Sequence, residues 1–349
     1  MAVRITTNAM FHTYRANLYA SNAKQQKAME RVETGRVFSS YSEDPAAASK
    51  AFQLRRQLWR TSDQITAATH VTNKYESAYT ALDAIVDGDA EHPGLDGIED
   101  ILRGVSDSSG NGRRSLGQDL VSKAESIVLL MNTQYAGEYV FAGADGLNPP
   151  FTWGNSGDLY YRGNNVSTGE GYADYTRLST MENETTFVDI GLGMEVDSQR
   201  NVVPSTAFNS SLNGAAILGY GQDEDGYSNN LAVLMRQLGD IFLRSDPDSG
   251  AYYNEQDAQQ AAMLADKIFS RIADVQEQHV KISADAQYLN INLTQLETTS
   301  DTLNTEINTL EQMDPADAIK EMSWAMYSYT AALRVGQDIL SNSLIDYMN

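Results

Sequence analysis

The residues able to do chemistry are few and scattered. The 349-residue chain has four histidines, His12, His70, His92 and His279, and no cysteine. No His-Glu-x-x-His or comparable ligand spacing occurs among them. Without cysteine there is no thiolate zinc site, disulfide framework or thiol nucleophile. His279 falls on an apolar helical stripe and reads as a packed, hydrogen-bonded side chain. Asp246-x-Asp248 before Gly250 outlines a calcium loop, but the glycine comes one place early and Asp257 stands where a bidentate Glu belongs. Asp223 and Asp225 before Gly226 fail in the same way. Gly191-x-Gly193 lacks the third glycine and the following helix of a dinucleotide site. Gly154-Asn155-Ser156-Gly157 is one residue short of a nucleophile elbow. Asn165-Val166-Ser167 is a glycan acceptor only on a eukaryotic secretory route, which nothing here implies. Met322 and Met326 read as ordinary core residues with an adaptable surface. The expectation is a protein without catalytic residues, metal or cofactor.

Composition narrows the class further. Hydrophobic residues make up 42% of the chain, enough to fold around a core. The formal charge of −22 opposes binding to nucleic acid or to anionic lipid. No stretch approaches the roughly 20 apolar residues of a membrane span. Residues Met1 to Ala20 lack a continuous apolar segment, so no cleaved signal peptide is expected.

The elements are dominated by long helical stripes. The strongest reads Ile268, Ile272, Val275, His279, Ile282, Ala286, Leu289, Leu293, Leu296, Ser300, Leu303, Ile307, Leu310, with steps alternating four and three. That is a heptad pattern, and no Gly or Pro interrupts it. Leu54, Leu58, Thr61, Ile65, Ala68, Thr72, Tyr75, Tyr79, Leu82 and Val86 keep the same rhythm. Asp44 is placed to cap this helix, with Pro45 at its first position. Asp87-Gly88-Asp89 and Pro93-Gly94 end it. A third helix is predicted over 115–139 through Leu116, Leu120, Ala124, Ile127, Val128, Met131 and Tyr135, and a short one near 95–105. Each stripe needs a cover, and together they predict an elongated helical-bundle rod.

Between about Gly143 and Gly226 the helical period is lost. Leu159-Tyr160-Tyr161-Arg162 and Thr185 to Ile190 read as strands between turns. Phe151, Trp153, Phe187 and Phe208 argue against a linker. The overall expectation is a mostly α chain: a coiled-coil or helical-bundle rod formed by the N- and C-terminal regions, with a small inserted β-rich domain. The predicted divisions are 1–42 with 314–349 as a terminal helical domain, 43–142 with 227–313 as the rod, and 143–226 as the insertion.

The outermost segments carry thinner stripes. One holds Phe11, Tyr14, Leu18 and Val32. The other follows Asp314-Pro315 and holds Ile319, Met322, Met326, Tyr329, Leu333, Leu340, Leu344 and Tyr347. Two such helices bury little against each other, so these residues are expected to meet neighbouring subunits.

Several motifs resemble the flagellin family of bacterial flagella. They are Arg4-Ile5-Thr6-Thr7, Glu33-Thr34-Gly35-Arg36 and Ser42-Glu43-Asp44-Pro45-Ala46-Ala47. Gly137-Glu138-Tyr139-Val140-Phe141-Ala142-Gly143 before Pro149-Pro150-Phe151, and the ending Ser343-Leu344-Ile345-Asp346-Tyr347-Met348, are similar to that family's hook–filament junction members. The likeness covers both ends and hardly touches the middle. At Glu43 the junction members more often have Asp, a change that keeps the charge. The resemblance implies a structural component of the flagellum that joins hook to filament, the alternative being a filament-forming flagellin. It implies a homo-oligomeric ring of eleven subunits, with another hook-associated protein and flagellin as neighbours. It also implies a flagellar export chaperone at the C-terminal region, type III export in an unfolded state and an extracellular location. In the implied assembly the terminal helices form the inner core and the middle domain points outwards.

Overall fold

The protein is described by a computed structural model covering residues 2–88, 94–98, 102 and 112–348, with side chains described outside 2–8, 96 and 340–348. The chain is mostly helical: α1 Ala2–Thr34, α2 Pro45–Val86, α3 Arg113–Leu130, α4 Ala173–Glu182, α5 Gly214–Leu218, α6 Leu231–Leu243, α7 Glu255–Glu311 and α8 Pro315–Met348. Three small antiparallel sheets lie between α3 and α6 in the chain. The expected mostly α fold with long terminal helices and a β-bearing middle is the fold observed. Two compact units form, one from residues 1–62 and 298–349, the other from 63–297. The helices α2 and α7 run in sequence from one into the other.

Both Asp-Pro pairs start helices as their chemistry dictates. The Asp44 carboxylate accepts the Ala47 N–H at 2.9 Å, and Asp314 accepts the Ala316 N–H at 2.7 Å. Each satisfies an amide that the first helical turn leaves unpaired. The heptad stripes emerge on the inner faces. In α2 every stripe position from Leu54 to Val86 is buried or half-buried, and in α7 the same holds from Ile268 to Leu310.

The larger unit, 63–297, holds one continuous core drawing on α2, α3, α6, α7 and the middle segment. Helices α3 and α6 meet through glycines. A Cβ on Gly117 would lie 2.8 Å from the Gly239 carbonyl, and one on Gly239 would lie 2.9 Å from the Gly117 carbonyl. Only hydrogen at both positions lets the backbones approach this closely.

Helix α3 ends at Leu130, short of the predicted 139. Residues Gln134–Tyr135 (β1) and Glu138–Tyr139 (β2) instead form a hairpin. Its corner, Ala136-Gly137, has φ of 52° and 86°, the paired left-handed geometry of a type I′ turn. Phe151–Trp153 (β3), Leu159–Tyr161 (β4) and Asn164–Asn165 (β5) form a three-stranded sheet, and Arg162-Gly163 repeats the same corner at 47° and 79°. Phe187–Val188 (β6) pairs with Phe208–Asn209 (β7). The predicted strands at 159–162 and 185–190 thus exist, the second only as two residues. Helices α4 and α5 within the middle were not legible in the period. Of the short helix expected near 95–105, the described residues are a 3₁₀ turn at Leu95–Gly97 and the α-helical, buried Ile98 and Leu102; the rest lies outside the described residues.

The middle segment packs on the helices. Phe208 meets Tyr75 of α2 at 5.3 Å and Tyr288 of α7 at 6.3 Å between ring centroids. Lys74 donates to the Ser210 carbonyl at 3.0 Å and Tyr75 to that of Asn209 at 3.2 Å. The Phe141-Ala142-Gly143 run is core: Phe141 and Ala142 are fully buried, and the Phe141 carbonyl accepts from the Tyr161 hydroxyl at 3.0 Å and the Gly214 amide at 2.9 Å.

Candidate assembly interface

The unit formed by 1–62 and 298–349 is built on two antiparallel joints. Helices α1 and α8 pack together, with Tyr14 beside Gly336 and the Arg31 guanidinium on both carboxylate oxygens of Glu321 at 2.8 Å. The turns that follow α1 and α7 are stitched backbone to backbone. Val37 donates to Glu311 at 2.8 Å and Met313 to Gly35 at 2.9 Å, around an Arg36–Gln312 bridge. Gly35 sits at φ 65°, which only glycine adopts freely. Glu43 closes the first turn: its carboxylate accepts the Ser39 amide at 3.0 Å and lies 3.5 Å from Lys27. The Ser39 hydrogen bond, with Lys27 in support, holds its carboxyl below the usual range. Arg55 pairs with Glu311 at 2.5 Å.

This unit covers little apolar surface of its own. Among the described residues, its buried apolar side chains are Ala28, Ala51, Leu54, Ile307 and Ala318. Against those five, fourteen large apolar side chains stand exposed, among them Tyr19 at 66%, Trp59 at 66% and Tyr327 at 69%. Monomeric proteins rarely leave so much apolar surface open.

Of the residues expected at an interface, Phe11, Val32, Ile319, Met326 and Leu333 are exposed. Tyr14, Leu18, Met322 and Tyr329 are half-buried. Leu340, Leu344 and Tyr347 lie on the described backbone of α8, but their side chains are outside the described residues. Sequence reasoning missed Met10, Tyr19, Met29, Tyr41, Phe52, Trp59, Trp324, Tyr327 and Val335, all exposed. The signal was available: Trp324 and Tyr327 sit off the single stripe traced along α8, so that helix is apolar on more than one face.

The remaining candidates resolve into structure. The Asp246 carboxylate is taken by the amides of Asp248 and Ser249 at 3.0 and 2.8 Å. Asp223 and Asp225 both engage the Lys267 ammonium, which stands against the acidic loop as a fixed cation. His279 stacks on Tyr79 at 5.0 Å, with Asp83 3.6 Å from its Nε2. His92 lies outside the described residues. Among the described residues no cluster of three or more His, Asp or Glu could hold a metal, and no helix is long and apolar enough to cross a membrane.

Comparison with known proteins bears on the N-terminal region and on the fold. Residues 5–145 match the family model of the bacterial flagellin N-terminal helical region. Flagellar hook-associated protein 3 of Salmonella typhimurium is 28% identical over 156 residues, which span 44% of this chain and 48% of that protein. The match therefore spans about half the length of that curated relative. Among solved structures, a flagellar hook-associated protein from Vibrio parahaemolyticus superposes with a TM-score of 0.54 at 18% identity, over 77% of this chain and 100% of that one. Xanthomonas campestris FlgL gives 0.51 at 14%, over 73% and 99%. At these identities the structural likeness speaks for the fold alone.

Proposed function

We propose that this chain, whose N-terminal region is that of the flagellin family, is a structural subunit of the bacterial flagellum at the junction of hook and filament. The observation that carries the reading is the uncovered apolar surface of the 1–62/298–349 unit, which neighbouring subunits would bury. Residues 1–42 and 314–349 act as the terminal domain of that contact, 43–142 and 227–313 as the rod, and 143–226 as the outward part. The interface takes in Phe11, Tyr14, Leu18, Val32, Ile319, Met322, Met326, Tyr329, Leu333, Leu340, Leu344 and Tyr347. The assembly is a ring, eleven-fold by resemblance, with another hook-associated protein and flagellin as neighbours. An export chaperone holds the C-terminal region before secretion to the cell exterior without a cleaved signal peptide. The work is mechanical and needs no catalytic residue.

The test is a deletion strain viewed by electron microscopy. The reading predicts hooks without attached filaments, with loose filament protein in the medium. Intact, motile flagella would contradict it. Purified protein separates the junction role from that of a filament flagellin. A junction subunit stays short under salting-out or seeding, whereas growth into long filaments would reassign it.

A further inference from the structure

Charge is divided along this chain in a way that suggests how copies meet. The inference rests on the assembly role just proposed and names the contact. In the unit formed by 1–62 and 298–349, the first stretch has ten Lys/Arg against four Asp/Glu, and the second has two against eight. The unit is formally neutral, with a basic N-terminal limb and an acidic C-terminal limb. Residues 63–297 hold the whole formal charge of −22. Net repulsion between copies therefore arises from the larger unit, while the smaller one sets opposite charges on its two limbs.

The two limbs carry their charges on uninterrupted stretches. From Pro45 to Ser62 there is no acidic residue, while Lys50, Arg55, Arg56 and Arg60 are present. From Thr298 to Ile319 there is no Lys or Arg, while five Asp and Glu are present. Within the chain Arg55 is engaged by Glu311. Arg56 and Arg60 are exposed beside Phe52 and Trp59, at 64% and 66% exposure, on the face of α2 opposite its buried Ala51, Leu54 and Thr61. Asp301 and Glu306 are exposed on the last turns of α7.

We propose that the basic, aromatic face of α2 (Phe52, Arg56, Trp59, Arg60) docks on the acidic end of α7 (Asp301, Glu306) of a second copy of this chain. The two patches differ, so the contact is head-to-tail and propagates around a ring or helix instead of closing as a two-fold dimer. Aromatic and Arg side chains together supply apolar area and charge-assisted hydrogen bonds, the usual anchors of interfaces. Acidic partners other than a second copy are separated by the test below.

The test uses two charge-reversed full-length variants, R56E/R60E and D301K/E306K. Each is checked for wild-type melting and then followed by sedimentation at rising protein concentration and low salt. Wild type is expected to self-associate, and to do so less as salt is added. Each variant alone should associate about tenfold more weakly or worse. An equimolar mixture should recover association, because every R56E/R60E patch then meets a D301K/E306K patch, and every unaltered patch meets its opposite. A monomeric wild type, variants that associate as well as wild type, or a mixture that recovers nothing would each overturn the proposal. Monomeric wild type together with failure of R56E/R60E to rescue swimming would place an acidic partner other than this chain on α2. In cells the two readings fail differently. A deletion strain that still swims refutes the flagellar role, whereas full rescue of a non-swimming strain by either variant alone refutes only this contact.

Discussion

Two glycines show how the same substitution has different costs in different surroundings. A methyl group on Gly117 would press on the Gly239 carbonyl and the Phe242 Cβ, both at 2.8 Å, and backbone cannot step aside without parting α3 from α6. A methyl on Gly336 would instead meet the hydroxyl end of Tyr14, a half-buried side chain and not backbone. G117A should therefore cost about 1–3 kcal/mol, or roughly 2–4 °C of melting temperature per kcal/mol. G336A should stay within about 0.5 kcal/mol, helped by the better helix propensity of alanine. Calorimetry on both variants decides, and G336A proving the costlier would refute the packing described. Residue-level chemistry was legible where it was local: both Asp-Pro caps act as their types require. The turns at Ala136-Gly137 and Arg162-Gly163 were not, because Ala and Arg lack the local hydrogen bonds that make Asn or Asp a signal for positive φ.

The acidic loop at 223–228 closes on its own backbone and is tied to α7 by Lys267. Burial works to raise the Asp223 carboxyl, but the Lys267 ammonium and the amides of Tyr227 and Asp225 outweigh it and leave it below the ordinary range. The hydrogen bond to Asp223 raises Lys267 in turn, with Asp225 adding to it. For the depressed carboxyl, the stabilising contribution is present above its unfolded value of about 3.9 and is lost as pH falls through the lower folded value. For the raised amine, it is complete below about 10.4 and is lost as pH rises through the higher folded value. The loop should thus be tightest between about pH 4 and pH 10. Protection factors of the Asp225 and Tyr227 amides, corrected for intrinsic exchange, should drop below pH 4 and be low at every pH in K267M. Protection unchanged down to pH 2.5 would contradict the clamp. At this scale the long helices were legible, since a seam of a dozen positions averages out local noise. The middle was not: its strands are two or three residues long and its helices α4 and α5 short, so neither period can establish itself. The hairpin that replaces the end of α3 shares the apolar Tyr135 with the helical pattern, and Met131 caps the helix just before it, which is why the period runs through.

For the molecule as a whole, the terms that favour folding are unevenly placed. The unit at 63–297 carries a continuous apolar core and all of the net charge. The unit at 1–62 and 298–349 is neutral, has five buried apolar side chains among its described residues, and exposes Trp, Tyr, Met and Phe on several faces. The apolar ends were visible in the sequence. Which of their faces stay open was not, because these helices are apolar on more than one face. Helices this thinly covered gain little from packing in isolation, and most helical stability in proteins comes from packing. The most direct measurement is hydrogen exchange on α1 and α8 in dilute monomer and again in assembled flagella. Fast exchange along both helices in the monomer, with strong protection on assembly while 63–297 stays protected throughout, is the predicted result. Equal protection of α1 and α8 in both states would contradict a unit that neighbours must complete.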